Sequence, residues 1–373
     1  MRIGIQLLSL RPGNVGGQEV LVRRLLSRIV PSLDDERLVL FLRPELAADS
    51  HYRNFAEHPS VQTRIERPEA HYGHGYADWN LELLESSKLD VIFFPLSFFF
   101  PRPLPIPVVI HVPDIQYAYF PQYFSPDELS WRRERIPESV RLADAVVTPT
   151  FFSKSCLEEK LHADGNRLHV IASAGFLADE MTEADRTTES DDAIPQPFVF
   201  YPAADWPHKN HETLIRAMAL LAEHGRSEHL VFTGMFSQRR DALEKLVNEL
   251  GLTARVHFLG CVSTNRIIHL YRTAHVMAFP SRFEGFGIPL VEAMQLGCPI
   301  VASRAEGVVE TVGDAARISE DDPRCWCDTL TEVLSDTSVR TDLRRRGLRR
   351  ATQFDWNQCA RKTMELLRSV AGS

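Results

Sequence analysis

Short apolar runs, each followed by a stretch with helical periodicity, recur along almost the whole of this 373-residue chain. Ile3–Leu8, Leu38–Phe41, Val91–Phe94, Val108–Ile110 and Ala145–Thr148 have no polar alternation, so each reads as a strand buried on both faces. Between them, Glu19–Val30 carries apolar residues at 21, 22, 25, 26 and 29, a helical stripe. Ser125-Pro126-Asp127 is a start signal for a helix over 127–142, and Phe151–Leu161 reads as another helix. Buried strands separated by crossover helices imply a mostly parallel, doubly wound sheet. The acidic, proline-ended stretch Asp179–Pro197 interrupts the pattern and reads as a linker. Alternation then resumes with strands at Phe198–Tyr201, Leu230–Thr233, Val256–Leu259, Val276–Phe279 and Pro299–Ala302. Helices are expected at 212–224, 239–250, 267–274 and 290–296, and a long helical region from Arg324 onward. At about 150 residues per domain the length fits two domains, and two patterns are present. In open parallel sheets ligands bind beyond the C-terminal strand ends, so the two domains are expected to turn those ends toward a central cleft.

Charge and composition narrow the classes further. The 42 Lys and Arg against 50 Asp and Glu leave a net charge of −8, which lacks the basic field of a general nucleic-acid binder. Residues 91–112 are apolar enough to be weighed as a membrane span, but prolines at 95, 101, 103, 105 and 107 remove too many amide donors for a spanning helix. The better reading is two strands joined by a proline-rich loop. The N-terminal MRIGIQLLSLRPG resembles a first strand more than a leader peptide. Six cysteines without C-x-x-C spacing read as reduced and intracellular, and the expected location is cytoplasmic.

The densest chemistry lies in Phe279–Met294, FPSRFEGFGIPLVEAM. A strand ends, a Pro-Ser turn follows, and Glu284-Gly285-Phe286-Gly287 leads into a helix that contains Glu292. Glycines let backbone amides approach an anion at a helix N-terminus, where the dipole favours negative charge. A carboxylate just inside that helix accepts hydrogen bonds from vicinal hydroxyls, as acidic residues do for ribose. On residues alone a second reading stands beside this one: Glu284 as a loop carboxylate and Glu292 as a first-turn partner of the dipole. The G-x-G is not a dinucleotide fingerprint, because Leu290 takes the third glycine position.

The run E-G-F-G-I-P-L-V-E resembles the two-glutamate signature of retaining GT-B glycosyltransferases of family 4, the glycosyl transferases group 1. The similarity extends from Val256 to Ala316 nearly without gaps and, more coarsely, over the whole chain. It implies the GT-B fold: two Rossmann-like, doubly wound parallel-sheet α/β domains facing a cleft. It also implies that Glu284 contacts donor-sugar hydroxyls, that Glu292 holds the ribose, and that backbone groups of Phe286, Gly287 and Ile288 meet the sugar and diphosphate.

Three further segments fit that resemblance. In Phe198–His211, FVFYPAADWPHKNH, a strand delivers Lys209 to the sheet edge, where a lysine neutralises charge on a leaving diphosphate. Taken alone, Lys209 is equally a solvated lysine at a helix start. The family pattern has Gly-Arg ahead of this lysine, whereas Ala204 occupies the arginine position; Arg282 and His208 are replacements by proximity in sequence. The W-P-H-K-N-H wording resembles bacterial mannosyltransferases of surface polysaccharides and implies GDP-mannose as donor. In Pro12–Glu19, the pair Gly16-Gly17 sits between strand and helix, matching the family's Gly-Gly loop over phosphate and acceptor. His111, at the end of the strand in VVIHVPDIQ, stands where the family places a histidine near donor sugar and acceptor, with Asp114 a candidate to orient it.

The remaining features carry less. His71/His74 and His208/His211 have i, i+3 spacing but no further ligands to complete a zinc site. No D-x-D occurs, so a divalent-metal grip on the diphosphate is not indicated. Arg344, Arg345, Arg346, Arg349 and Arg350 read as a solvated helix face, with peripheral contact to anionic lipid as a second reading. The expectation is therefore a metal-independent hexosyltransferase without cofactor, whose partners are a nucleotide sugar and a glycan or lipid-linked acceptor. Residues 1–178 are assigned to the acceptor, 190–351 to the donor, and 352–373 to a helix packing back on the first domain. Two alternatives are a GT-B-fold sugar-nucleotide epimerase and a non-catalytic sugar-nucleotide or glycan-binding protein.

Overall fold

A computed structural model describes residues 1–10, 17–66, 81–99, 104–177, 194–237 and 239–372. The chain divides into two units, Met1–Ser173 with Asp355–Ser373, and Ala174–Phe354. The division precedes the acidic stretch 179–197, of which 179–193 lie outside the described residues.

The first unit is built on seven parallel strands: β1 (Arg2–Gln6), β2 (Arg37–Leu42), β3 (Val61–Ile65), β4 (Val91–Phe94), β5 (Val108–His111), β6 (Ala145–Thr148) and β7 (Leu168–Val170). Their order is β3-β2-β1-β4-β5-β6-β7. Leu38, Val39, Leu40 and Phe41 are sealed from solvent, as are Val91, Ile92, Val109 and Ile110, because helices cover both faces of the sheet. The helix Pro126–Leu142 starts where Ser125 accepts a hydrogen bond from the Glu128 amide, with Pro126 in the first turn, where its missing N–H costs nothing. The last helix, Trp356–Ala371, is capped by Asp355 and buries Trp356, Ala360, Met364 and Leu367. It packs against Gly17–Ile29, and its Arg368 pairs with Glu36 at 2.6 Å.

The second unit has six parallel strands: β8 (Phe198–Pro202), β9 (His229–Thr233), β10 (Val256–Phe258), β11 (Val276–Phe279), β12 (Ile300–Ser303) and β13 (Ala316–Ser319). Their order is β10-β9-β8-β11-β12-β13. From β8 the chain winds outward to β10, and from β11 it winds outward the other way, so the order reverses between these adjacent strands, paired Val276 to Val199 and Met277 to Phe200. Helices leaving two such strands lie on opposite faces, which opens a crevice beyond their C-terminal ends. The first sheet has the same reversal between β1 and β4. No helix among the described residues is long and apolar enough to cross a membrane.

Candidate functional site

The loop after β8 is fixed from three sides. Tyr201, fully buried, donates its hydroxyl to the Lys209 carbonyl at 2.9 Å, and burial raises its pKa well above the phenol value, so it remains a donor. Asp205, 2% exposed, accepts from the Ser237 and Arg239 amides at 2.8 and 3.1 Å, which clamps this loop to the one after β9. The short 3-10 helix Pro207–Lys209 then ends on Asn210 in the left-handed region (φ +57°), a conformation asparagine tolerates. The Asn210 amide donates to Asp321 at 2.7 Å and to the Pro280 carbonyl at 3.3 Å, and its oxygen accepts from the Thr213 hydroxyl. Lys209 is thereby presented at the switch point by a rigid turn.

The loop after β11 meets it there. The Arg282 amide donates to the His208 carbonyl at 2.8 Å, and the Ser303 hydroxyl holds the Ser281 carbonyl at 2.5 Å. Gly287 caps the helix Ile288–Gln295 with φ +86° and ψ +65°, backbone values that a side chain strains. Pro289 lies in the first turn of that helix. The Phe286 ring packs edge-on against Phe354, and its carbonyl accepts from the Thr311 hydroxyl at 2.5 Å. The backbone at 286–288 is thus set at a helix N-terminus, an arrangement able to receive an anion.

Lys209 and Glu284, 75 positions apart, meet in this crevice with Nζ to Oε1 at 2.6 Å. Their side chains are 13% and 12% exposed. Burial raises the Glu284 pKa, but the Lys209 ammonium, the His208 ring and hydrogen bonds from Lys209 and Ser281 outweigh it, and the net shift is downward. Glu284 is therefore an ionised carboxylate held on a cation. Glu292, one turn inside the helix and 7% exposed, accepts from the Tyr271 hydroxyl at 3.0 Å. Burial and this carboxylate push the Tyr271 pKa well up, so the phenol stays a donor and orients Glu292.

In the first unit, His111 ends β5 opposite Val147 and is 4% exposed. Burial pushes its pKa down to about 4 against the opposing effect of the Pro95 carbonyl, so the ring is neutral near pH 7. Its Nδ1 is sealed and has no hydrogen-bond partner among the described residues. The Asp114 carboxylate accepts from the Gln116 amide at 3.0 Å. Gly17 opens the helix Gly17–Ile29, whereas Gly16, His71 and His74 lie outside the described residues.

Of the two replacements for the absent arginine at 204, Arg282 is engaged with Asp321 at 2.7 Å. His208 is 7% exposed and lies within the electrostatic reach of both Lys209 and Glu284. The arginine face of the helix Thr337–Ala351 is paired locally: Arg345 and Arg346 with Asp342, Arg349 with Asp314, and Arg350 with the Thr311 and Glu310 carbonyls. Among the described residues no group of three or more His, Cys, Asp or Glu is placed to hold a metal. Tyr201, Asp205, Asn210, Tyr271 and Thr311 also build the site, through buried hydrogen bonds that no spacing in the sequence signals.

Known proteins resemble this chain in sequence and in fold. Residues 187–350 match the family Glycosyl transferases group 1. The chain is 27% identical over 280 residues to the O-antigen chain mannosyltransferase B of Escherichia coli, covering 74% of this chain and 73% of that protein. It is 32% identical over 238 residues to the D-inositol 3-phosphate glycosyltransferase of Nocardia farcinica, covering 60% of this chain and 52% of the relative. The Anabaena protein HepE, solved in complex with UDP and glucose, superposes with a TM-score of 0.71 at 21% identity, over 99% of this chain and all of the other.

Proposed function

Because the chain carries a glycosyl transferases group 1 domain on a GT-B fold, we propose that it transfers a hexose from a nucleotide sugar to a hydroxyl of a glycan or lipid-linked glycan, with retained anomeric configuration. The observation that carries this reading is the Lys209–Glu284 pair, set where the sheet reverses and beside a helix N-terminus. In this scheme the diphosphate lies against Lys209 and the Gly287 helix start. Glu284 positions the sugar hydroxyls, and Glu292, oriented by Tyr271, takes the ribose. His111, neutral near pH 7, is the first unit's proposed catalytic residue. As the glycosidic bond to phosphate lengthens, negative charge gathers on the departing diphosphate, and preorganised donors and cations at that point lower the barrier.

Retention by double displacement requires a carboxylate nucleophile on the sugar. Glu284 is engaged by the ammonium, so the proposed course is front-face displacement through an oxocarbenium-like state. Lys209 then serves the leaving group and no metal is required. GDP-mannose is the proposed donor, on the Trp206–His211 wording and the mannosyltransferase relative. The proposed setting is surface polysaccharide synthesis in the cytoplasm.

A thermal-shift panel tests the donor. GDP-mannose is expected to stabilise the protein more than UDP-glucose or UDP-N-acetylglucosamine; a ligand at 100 times its Kd adds about 2.7 kcal/mol. Turnover with a UDP-sugar alone would overturn the mannosyl assignment and leave glycosyl transfer standing. A donor epimerised without any acceptor would replace transfer by isomerisation.

A further inference from the structure

The Lys209–Glu284 pair raises a problem of charge. Together the two side chains are neutral, whereas the diphosphate of a nucleotide sugar carries two negative charges. Arg282 in the loop after β11 is engaged with Asp321, and Arg239 in the loop after β9 with Glu212. Ala204 offers none.

His208 is the group left over. Its backbone is pinned, since the 3-10 helix fixes its turn and its carbonyl accepts from Arg282. The Trp206 indole packs on the ring at 5.8 Å between centroids with planes 35° apart. The residue is only 7% exposed, but its ring nitrogens are not sealed from solvent as the Nδ1 atoms of His111 and His211 are. Nitrogens that reach water rather than a protein group leave room for a ligand oxygen to take the water's place. The charged and titratable groups facing it are Lys209, Glu284 and His211.

We infer that His208 is the second cationic contact of the diphosphate, in place of the arginine absent at 204, and that the nucleotide sugar binds with uptake of one proton by this ring. The inference rests on the proposal that Lys209 meets the diphosphate. In the free protein, burial, reinforced by the Lys209 charge, holds the His208 pKa down to about 4, so the ring is neutral near pH 7. A dianion beside it reverses that balance, because an opposite charge within a few ångströms favours the protonated ring. The ring then switches its charge on only when the diphosphate is present, unlike a permanently charged arginine.

Titration calorimetry with GDP-mannose and with UDP-glucose tests this, because their diesterified diphosphates do not themselves titrate near neutral pH. Affinity of the wild type is expected to rise as pH falls from about 8 to about 6, by at most about tenfold per pH unit for one proton. Buffers of different ionisation enthalpy should report the matching proton uptake. His208→Gln is expected to bind more weakly, without uptake or slope, and His208→Lys to bind without slope. A wild type with no pH slope, or a His208→Gln variant that keeps the uptake, overturns the inference. Lys209→Ala separates the two ideas: unchanged affinity there removes the Lys209 proposal itself. If neither nucleotide sugar binds the wild type at any pH, the proposed function fails.

Discussion

At the scale of single residues, Lys209 and Glu284 each make the other tolerable in a crevice that leaves them about one-eighth exposed. Removing one partner of a buried pair costs about 3–5 kcal/mol, because the other charge stays behind uncompensated. Lys209→Gln is therefore expected to lower stability markedly in chemical denaturation, and Lys209→Gln with Glu284→Gln to recover most of the loss while remaining inactive. A single variant as stable as the wild type would show that the pair is open to water. Glu292→Gln acts differently: it weakens an interaction made equally in the ground and transition states, so donor KM should rise with kcat little changed. A fall in kcat alone would place Glu292 at the reacting centre. The residue types of this site were legible in the sequence, as two glutamates around a glycine pair and a lysine after a strand. The 2.6 Å contact was not, since 75 positions separate its partners. Asp205 and Asn210 belong to residue types common in any turn, and only their buried hydrogen bonds across loops show that they hold the site in place.

Elements explain why that contact forms. Gly287 turns the chain from β11 into its helix in the left-handed region, which costs a non-glycine residue roughly 1–2 kcal/mol. Gly287→Ala should lose about that much stability in denaturant melts and raise donor KM, because the helix start moves; unchanged values would remove the helix N-terminus from the account. The central strands were readable from their continuous apolar runs. The edge strands β3, β7 and β13 were not, because VQTRI, LHV and ARIS are half-exposed and carry no such run. Nor was the division of the C-terminal region. Three helices follow Asp322, each begun by an aspartate whose carboxylate accepts amides of its own first turn: Asp322, Asp336 and Asp355. Those caps were present in the sequence but hidden within one long helical pattern.

At the scale of the whole molecule, the sequence carried the GT-B fold further than its details, since two parallel doubly wound sheets follow from alternation, whereas strand order, strand edges and loop contacts depend on packing. Three buried histidines then tie stability to pH. His111, His208 and His211 each have a folded pKa near 4, pushed down chiefly by burial, against an ordinary 6.5. The unfolded chain thus binds protons that the folded one does not, so stability is complete above about pH 6.5 and falls as pH drops toward 4, by at most about 1.4 kcal/mol per unit for each ring. Denaturant melts at several pH values check the slope, and a flat profile would contradict the assigned burial. The proposed metal independence is tested at this scale: transfer is expected to persist in excess chelator, and activity restored only by manganese or magnesium would contradict the lysine-based leaving-group site. The central claim is that this crevice stabilises a departing nucleoside diphosphate through Lys209. Its most direct test is acceptor-dependent nucleoside diphosphate release by Lys209→Ala, with folding verified by circular dichroism. The account predicts a loss of turnover of about 10²–10³, the usual cost of one preorganised charge stabiliser, whereas a folded variant with near-normal turnover would contradict it.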